Sequence, residues 1–367
     1  MLKLEHGTMY DIPDTIIIHT LSSWHGKNNF RRMKYLYMPM QVYRLLKYLK
    51  KHRIKIIVSF LQRANIINIM LKIVYPHYTI TNVRTVLSKA YNRNGVLPRI
   101  KYLLHRSLNF SNTIICNSNG IKSDLIKNFN ISADKIKVIY NLYDIKTIKT
   151  LSQEPLDPEY NEIFKVSVVI NVGNLFTPKA QWHLIRSFVK IKETIKDAKL
   201  VIIGQGNLEG YLKQLSKDTG FEKDIHFLGF QKNPFKFVSK AKIFVLSSLW
   251  EGFPNVLVEA MICGTPVIST DCRSGPREIL APNTDPFFET RNMEYAQYGL
   301  LVPVMDTRRY NVNESITREE SIFADAMVTM LSNDQLRADY ASRLSSRVMD
   351  FEQDKIVKAY LDTVILH

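Results

Sequence analysis

Short apolar runs of strand length alternate along this chain with longer amphipathic stretches, an order that predicts strands separated by helices. In the first part the strand-like runs are Leu2–Leu4, Thr15–Thr20, Ile54–Phe60, Asn112–Asn117 and Lys137–Asn141, with Asp11–Asp14 as a turn between the first two. Later ones are Val166–Val172, Leu200–Ile203, Ile225–Leu228, Lys242–Ser248 and Tyr298–Pro303. Helical spacing marks Trp182–Ile195, and it marks Asn255–Cys263 with Val256, Ala260 and Cys263 on one buried face before Gly264 stops the helix. Another helix follows Ser274-Gly-Pro276, and Ile322–His367 has long helical periods with no Gly or Pro. Residues 29–51 predict an amphipathic helix interrupted near Pro39, with Val42, Leu45, Leu46 and Leu49 on its apolar side. His105, in a helical stretch at 99–106, reads as one polar position rather than a ligand. Runs apolar on both faces belong in parallel sheets covered by helices, so the expected fold is α/β with two Rossmann-like domains.

Gln153–Glu162 is polar, acidic and carries two prolines, the composition of a linker. The expected division is a first domain at 1–152, a linker at 153–164, a second domain at 165–345 and a final helix at 346–367. The chain has 367 residues, 46% of them hydrophobic and 11% aromatic, which fills two cores and argues against disorder. No apolar run approaches the ~18 residues that span a bilayer, and Met1–Tyr10 lacks the apolar stretch of a secretory signal. The expectation is a cytoplasmic protein whose membrane contact is peripheral. Cys116, Cys263 and Cys272 have no metal-ligand spacing and read as buried thiols.

Charge is distributed unevenly. Residues 1–150 hold 25 of the 50 Lys and Arg but only 6 of the 34 Asp and Glu, a net of +19, which leaves −3 for the remainder. No acidic residue occurs between Thr15 and Ser123. Such a field favours an anionic partner: a phosphate-bearing lipid, an anionic membrane surface or a nucleic acid. No nucleic-acid reader motif interleaves basic and aromatic residues in the required order, so nucleic acid is not an expected partner. The basic helix at 29–51, with Arg31, Arg32, Lys34, Arg44, Lys47, Lys50 and Lys51, suits two roles. It can lie on an anionic bilayer or pack within its domain with a solvated basic face.

The most informative stretch is Leu246-Ser-Ser-Leu-Trp-Glu-Gly-Phe-Pro-Asn-Val-Leu-Val-Glu259. A strand ending at Ser248 turns through Gly252-Phe-Pro254 into a helix, aiming that helix's free N–H groups beyond the carboxyl end of a parallel sheet. Glu251 lies in the loop and Glu259 eight positions later on the helix, so one carboxylate can face a sugar while the other takes a ribose diol. This stretch resembles the paired-glutamate motif of the family-4 retaining glycosyltransferases. Around it, Asn171–Lys179, Leu200–Gly206, His226–Gln231 and Asp271–Leu280 fall in the order and spacing of that family. The resemblance covers most of 166–350 strongly and the earlier half loosely.

The resemblance implies a GT-B arrangement, two Rossmann-like domains facing across a cleft with the donor in the second and the acceptor in the first. It implies that the final helix returns toward the first domain. Family members open with a strand, a Gly-rich loop and a helix, whereas this sequence starts where their second strand would be, so the first domain is expected to be short. Lys179 is the cation carried over for the donor diphosphate. Asn174 and Ala180 depart from the Gly-Arg-Leu and Lys-Gly of relatives. Gly173, Asn174, Gly204 and Gly206 are expected at the donor, Phe230 and Gln231 at the base, and Gly252, Phe253, Pro254, Asn255, Val256, Leu257 and Glu259 along the nucleotide sugar. Arg84 stands where relatives place a His or Arg facing the donor phosphate; a plain surface arginine is the alternative.

The implied reaction moves a hexose or N-acetylhexosamine from a nucleotide, uridine diphosphate in the first instance, to an anionic lipid-linked or polysaccharide acceptor of bacterial surface-glycan assembly. Glu251, Lys179 and Arg84 are the expected catalytic groups. No Asp-x-Asp occurs, so no metal and no cofactor beyond the nucleotide sugar are expected. The acid-free run offers no carboxylate base for inversion; His19, His25, His52, His77 and His105 remain possible bases, though none follows a placing motif. Retention, in which the departing diphosphate oxygen takes the acceptor's proton, needs none. A catalytically impaired relative acting as a binding partner stays open beside the enzyme.

Overall fold

The computed structural model describes residues 38–90 and 102–365. The expected strands at 2–4 and 15–20, Arg31, Arg32, Lys34 and the start of the basic helix lie outside the described residues. The described residues form two compact units, one of residues 38–83 with 102–115 and the other of residues 84–90 with 116–365.

In the first unit the helix Met38–His52 precedes strand β1 (Ile56–Phe60), helix Gln62–Val74, strand β2 (Tyr78–Val83) and strand β3 (Thr113–Cys116). β1 pairs with β2 in parallel, Ile56 opposite Tyr78. Pro39 falls in the first turn of the described helix, where a missing N–H costs nothing, and the expected stretch of helix before it lies outside the described residues. Val42, Leu45, Leu46 and Leu49 pack with Ile67, Leu71, Ile54, Ile57 and Tyr75. The apolar side is therefore used within the unit, which selects the packing role, and Arg44, Lys47, Lys50 and Lys51 remain exposed. β1 is not the doubly buried strand expected, because Val58 and Phe60 are exposed. β2 escaped the apolar pattern because its polar side chains are buried by pairing: Asn82 Nδ2 donates to Ser59 O at 3.1 Å and Thr81 Oγ1 meets Ser111 Oγ at 3.0 Å.

The second unit opens with the helix Asn119–Phe129 and strand β4 (Ile136–Val138). Its main sheet has β5 (Val168–Val172), β6 (Lys199–Ile203), β7 (Ile225–Gly229), β8 (Ile243–Leu246), β9 (Val267–Thr270), β10 (Glu294–Ala296) and β11 (Gly299–Val302). The spatial order is β10-β11-β9-β8-β5-β6-β7, parallel except for the β10–β11 pair. Side chains alternate between two cores, as the strand period demands. Val169, Leu200, Ile202 and Val245 face Trp182, Phe188 and Phe323 on one side. Val168, Ile170, Val201 and Phe244 face Leu257, Met261 and Phe351 on the other. The expected face of the Asn255–Ile262 helix is widened: Leu257, Val258, Ala260, Met261 and Ile262 are buried, while Val256 and Cys263 are half-buried.

The stretch at 153–165 runs along this unit, with Tyr160 edge-on to Phe237 at 5.2 Å and Lys236 bridging Asp157 at 2.9 Å. The last stretch forms three helices, Arg318–Ser332, Asp334–Val348 and Gln353–Ile365. A capping box at Thr317 and Glu320 starts the first, and Asn333, accepting from Leu336 N at 2.9 Å, starts the second. The thiols of Cys116, Cys263 and Cys272 are free. No described helix is long and apolar enough to cross a membrane.

The chain runs from β5 outward to β6 and β7, then returns to β8 on the other side of β5. A crevice for a ligand therefore opens beyond the carboxyl ends of β5 and β8.

Candidate active site

The loops that leave β5 and β8 meet at this switch point. After β5 the chain turns through Thr177–Lys179 and Ala180, whose φ of 47° is left-handed, into the helix Gln181–Thr194. Left-handed backbone favours Gly, which explains why the resembling loops carry Lys-Gly where this chain has Lys-Ala. The stem of Lys179 lies over Gly173, its Cε 3.6 Å from where a Cβ would stand. Its ammonium reaches Glu251 Oε1 at 2.5 Å. Ser248 Oγ donates to the same oxygen at 2.7 Å. Ser247 Oγ donates to Lys179 O at 2.7 Å, and Leu249 N donates to Pro178 O at 2.8 Å, so the two loops are joined through one side chain and through the main chain. Glu251 N donates to Arg273 O at 3.0 Å and Ser274 N to Glu251 O at 2.9 Å, which fixes the glutamate's backbone.

Gly252 is required by space, because a Cβ there would stand 2.2 Å from Arg84 O. Phe253 is buried against Tyr140 and Phe351, at ring distances of 5.3 and 5.6 Å. Pro254 then begins the helix Asn255–Ile262, which has no side-chain cap and no acidic residue in its first turn. Its positive end is left to an anion. Leu257 is wholly buried in the core. Phe253 and Leu257 thus keep their side chains in the core, and the Leu257 N–H donates to Pro254 O at 3.1 Å. The turn at Ser274–Pro276 is covered rather than open to the crevice: Ser274 Oγ donates to Gly252 O at 2.8 Å, and a Cβ on Gly275 would stand 2.6 Å from Pro254.

Glu259 differs from Glu251. Among the described residues its carboxylate has no hydrogen-bond donor and no cation, and burial pushes its pKa up to about 7.

Arg84 is held rather than loose. Nη1 donates to Asn141 Oδ1 at 2.5 Å and Nη2 to Tyr360 Oη at 2.9 Å. Asn141 Nδ2 donates in turn to Asn255 Oδ1 at 2.5 Å, and Tyr143 Oη donates to the same oxygen at 2.8 Å. A chain of amides therefore links Arg84 to the first turn of the helix that carries Glu259. Asn255 serves this link with its side chain. Asn141, Tyr143 and Tyr360 were not candidates from the sequence, since residues 57 and 276 positions from Arg84 leave no local pattern.

The glycines after β6 are required by the neighbouring loop. A Cβ on Gly204, whose φ is 146°, would stand 1.9 Å from Gly173 O, and one on Gly206 2.2 Å from Leu175 O. They let the β6 loop lie directly on the β5 loop. Beyond β7, Phe230 is exposed and Gln231 Nε2 donates to Leu228 O at 2.8 Å. Asn174 is exposed, with its main-chain oxygen accepting from Phe176 N at 2.9 Å. The carboxyl ends of four adjacent strands, β8, β5, β6 and β7, thus present Glu251, Lys179, the glycine loop and Phe230 in that order. Among the described residues no group of three His, Cys, Asp or Glu could hold a metal ion.

Comparison with known proteins adds the following. Residues 11–147 match the model of the glycosyltransferase family 4 domain, and residues 153–298 that of glycosyl transferases group 1. An uncharacterized glycosyltransferase of Methanocaldococcus jannaschii is 34% identical over 87% of this chain and 81% of its own length. An N-acetylgalactosamine-N,N'-diacetylbacillosaminyl-diphospho-undecaprenol 4-alpha-N-acetylgalactosaminyltransferase of Campylobacter jejuni is 30% identical over 98% of this chain and 88% of its own. The crystal structure of Anabaena HepE with UDP superposes with a TM-score of 0.71 at 19% identity, covering 89% of this chain and 82% of that one. The shared fold is of the GT-B type.

Proposed function

Since this chain belongs to the glycosyltransferases of family 4 and group 1, we propose that it moves a hexose or N-acetylhexosamine from uridine diphosphate to an anionic lipid-linked glycan in surface-polysaccharide assembly, with retention at the anomeric carbon. The observation that carries this reading is the Lys179–Glu251 pair at the switch point of the sheet, with the donor-less Glu259 one helix turn beyond the anion-attracting end of its helix. Support for the donor comes from the UDP bound by HepE, and for the acceptor from the diphospho-undecaprenol in the Campylobacter enzyme's name. Its alpha linkage is in keeping with retention.

The roles follow from chemistry. Phe230 offers a face for the base, and Glu259 accepts from the two ribose hydroxyls. Lys179 and Arg84 oppose the charge that grows on the diphosphate as the glycosidic bond breaks, so no metal is required. Glu251 accepts from a hydroxyl of the sugar. The departing phosphate oxygen takes the acceptor's proton on the face it leaves, and the new bond forms on that face. The exposed Arg44, Lys47, Lys50 and Lys51 fit a peripheral, electrostatic hold on the anionic inner face of the cell membrane.

The test is turnover of a panel of nucleotide sugars with a diphospholipid-linked glycan in the presence of EDTA. Acceptor-dependent release of UDP is expected. Nucleotide binding without turnover of any donor would favour the impaired-relative reading, which the uncharged Asn174 in the diphosphate loop supports.

A further inference from the structure

We propose that Ser248 is a positioning residue that holds the Glu251 carboxylate in place when the donor diphosphate draws Lys179 away from it. The inference rests on the proposed reading of Lys179 as the diphosphate's cation and Glu251 as the sugar's acceptor.

Two adjacent serines end the apolar run of β8, and both are wholly buried. Successive side chains of an extended chain point to opposite faces, so the pair can serve two loops at once. Ser247 Oγ fixes the main chain of Lys179 through its carbonyl at 2.7 Å, leaving the ammonium free to swing on its stem. Ser248 Oγ donates to Glu251 Oε1 at 2.7 Å, the same oxygen that the ammonium contacts at 2.5 Å. Ser248 is itself anchored, because Thr270 Oγ1, at the end of β9, donates to Ser248 O at 2.6 Å.

A diphosphate competes with Glu251 for the ammonium and carries more charge. With the hydroxyl present, the carboxylate keeps one donor fixed to the sheet when the ammonium turns to the diphosphate, and its second oxygen stays aimed where it was. With the hydroxyl absent, that oxygen loses its last donor as the ammonium leaves. The carboxylate then either follows the ammonium or holds it back, and the sugar loses its acceptor in both cases. Ser248 thus decides which partner of the Lys179–Glu251 pair moves.

The experiment compares Ser248→Thr with Ser248→Val, side chains of the same shape that differ in the hydroxyl, together with Ser248→Ala. Native protein and Glu251→Ala run beside them, and a thermal melt confirms that each variant is folded. Ser248→Val and Ser248→Ala should lower kcat about tenfold while the Kd of free UDP stays within about twofold, and Ser248→Thr should restore most of kcat. In a Glu251→Ala background, Ser248→Ala should cause no further loss, because its effect passes through that carboxylate. Equal kcat for the Thr and Val variants, or an undiminished tenfold loss in the Glu251→Ala background, would overturn the proposal. A native protein that transfers sugar with kcat unchanged by Glu251→Ala would instead overturn the assignment of Glu251, and the role of Ser248 with it.

Discussion

The loop at Glu251 and the helix at Glu259 lie eight residues apart, and the protein treats their carboxylates in opposite ways. Glu251 has an ammonium at 2.5 Å and a serine hydroxyl at 2.7 Å on one oxygen, and its backbone is held from both sides by the 273–274 turn. Glu259 is half-buried with neither, and loss of solvent around it raises its pKa to about 7. A buried carboxylate with no donor is costly unless something arrives to pair with it. On the proposed function the two glutamates are prepared for different events: Glu251, already paired, exchanges partners during the reaction, and Glu259 gains its partners from the nucleotide sugar.

The comparison is broken most severely by removing its charged partner. Lys179→Ala should lower kcat by about 10²-fold, the scale of losing one preorganised group opposite developing charge, and should raise KM much less. A change confined to KM would reduce Lys179 to a binding residue. Glu251→Ala should likewise lower turnover while leaving the affinity for free UDP nearly unchanged. Equal losses in both quantities would put Glu251 on the nucleotide and erase the contrast.

The complementary loss is in binding. Glu259→Ala should weaken UDP by one to two decades, from the ~1.5–3 kcal/mol of a hydrogen bond to a charged acceptor. Calorimetry that finds unchanged affinity would leave the helix carboxylate without a role at the nucleotide.

A smaller effect sharpens the same point through pH. Ribose hydroxyls donate to the ionised carboxylate, so binding favours loss of the Glu259 proton. With a pKa of about 7, the group is largely ionised at pH 8 and largely protonated at pH 6. Affinity should therefore rise with pH, by about tenfold across that interval. UDP-glucose is the suitable probe, since its diphosphate diester does not titrate there. The Glu259→Gln variant should bind more weakly with a flat profile, and a native profile as flat as the variant's would mean that the carboxyl does not change its charge on binding.

The smallest expected effect lies away from both carboxylates. Reversing Lys47, Lys50 and Lys51 to glutamate should reduce binding to anionic vesicles, at ~1 kcal/mol per cation at most, and added salt should reduce native binding in the same way. Equal binding to neutral and anionic vesicles would remove the electrostatic part.

What the sequence made legible follows the physics of each element. Strands β5, β6, β8 and β11 are buried on both faces, so their composition announces them. β2 hides its polar side chains by pairing them, and β10 is a short antiparallel edge, so neither stands out as an apolar run. At the site, Glu251, Glu259 and Lys179 were legible because a strand–loop–helix turn gives each a place along the chain. Their states were not. That Lys179 rests on Glu251, across 72 positions, and that Glu259 rests on nothing, are properties of folded neighbours. Ser248 escaped notice because a serine ending an apolar strand looks like filler until its hydroxyl is seen to reach a carboxylate. The expectation of Gly204 and Gly206 at the donor carries no sign of a second requirement, that they leave room for the neighbouring loop.

The account as a whole requires that the bond to the diphosphate and the bond to the acceptor lie on the same face of the sugar, with Lys179 and Arg84 holding the leaving group that takes the acceptor's proton. The anomeric configuration of the first-formed product, read by NMR before any mutarotation or further transfer, tests this most directly. From an α-linked nucleotide sugar the account predicts an α-linked product; a β-linked product would contradict it.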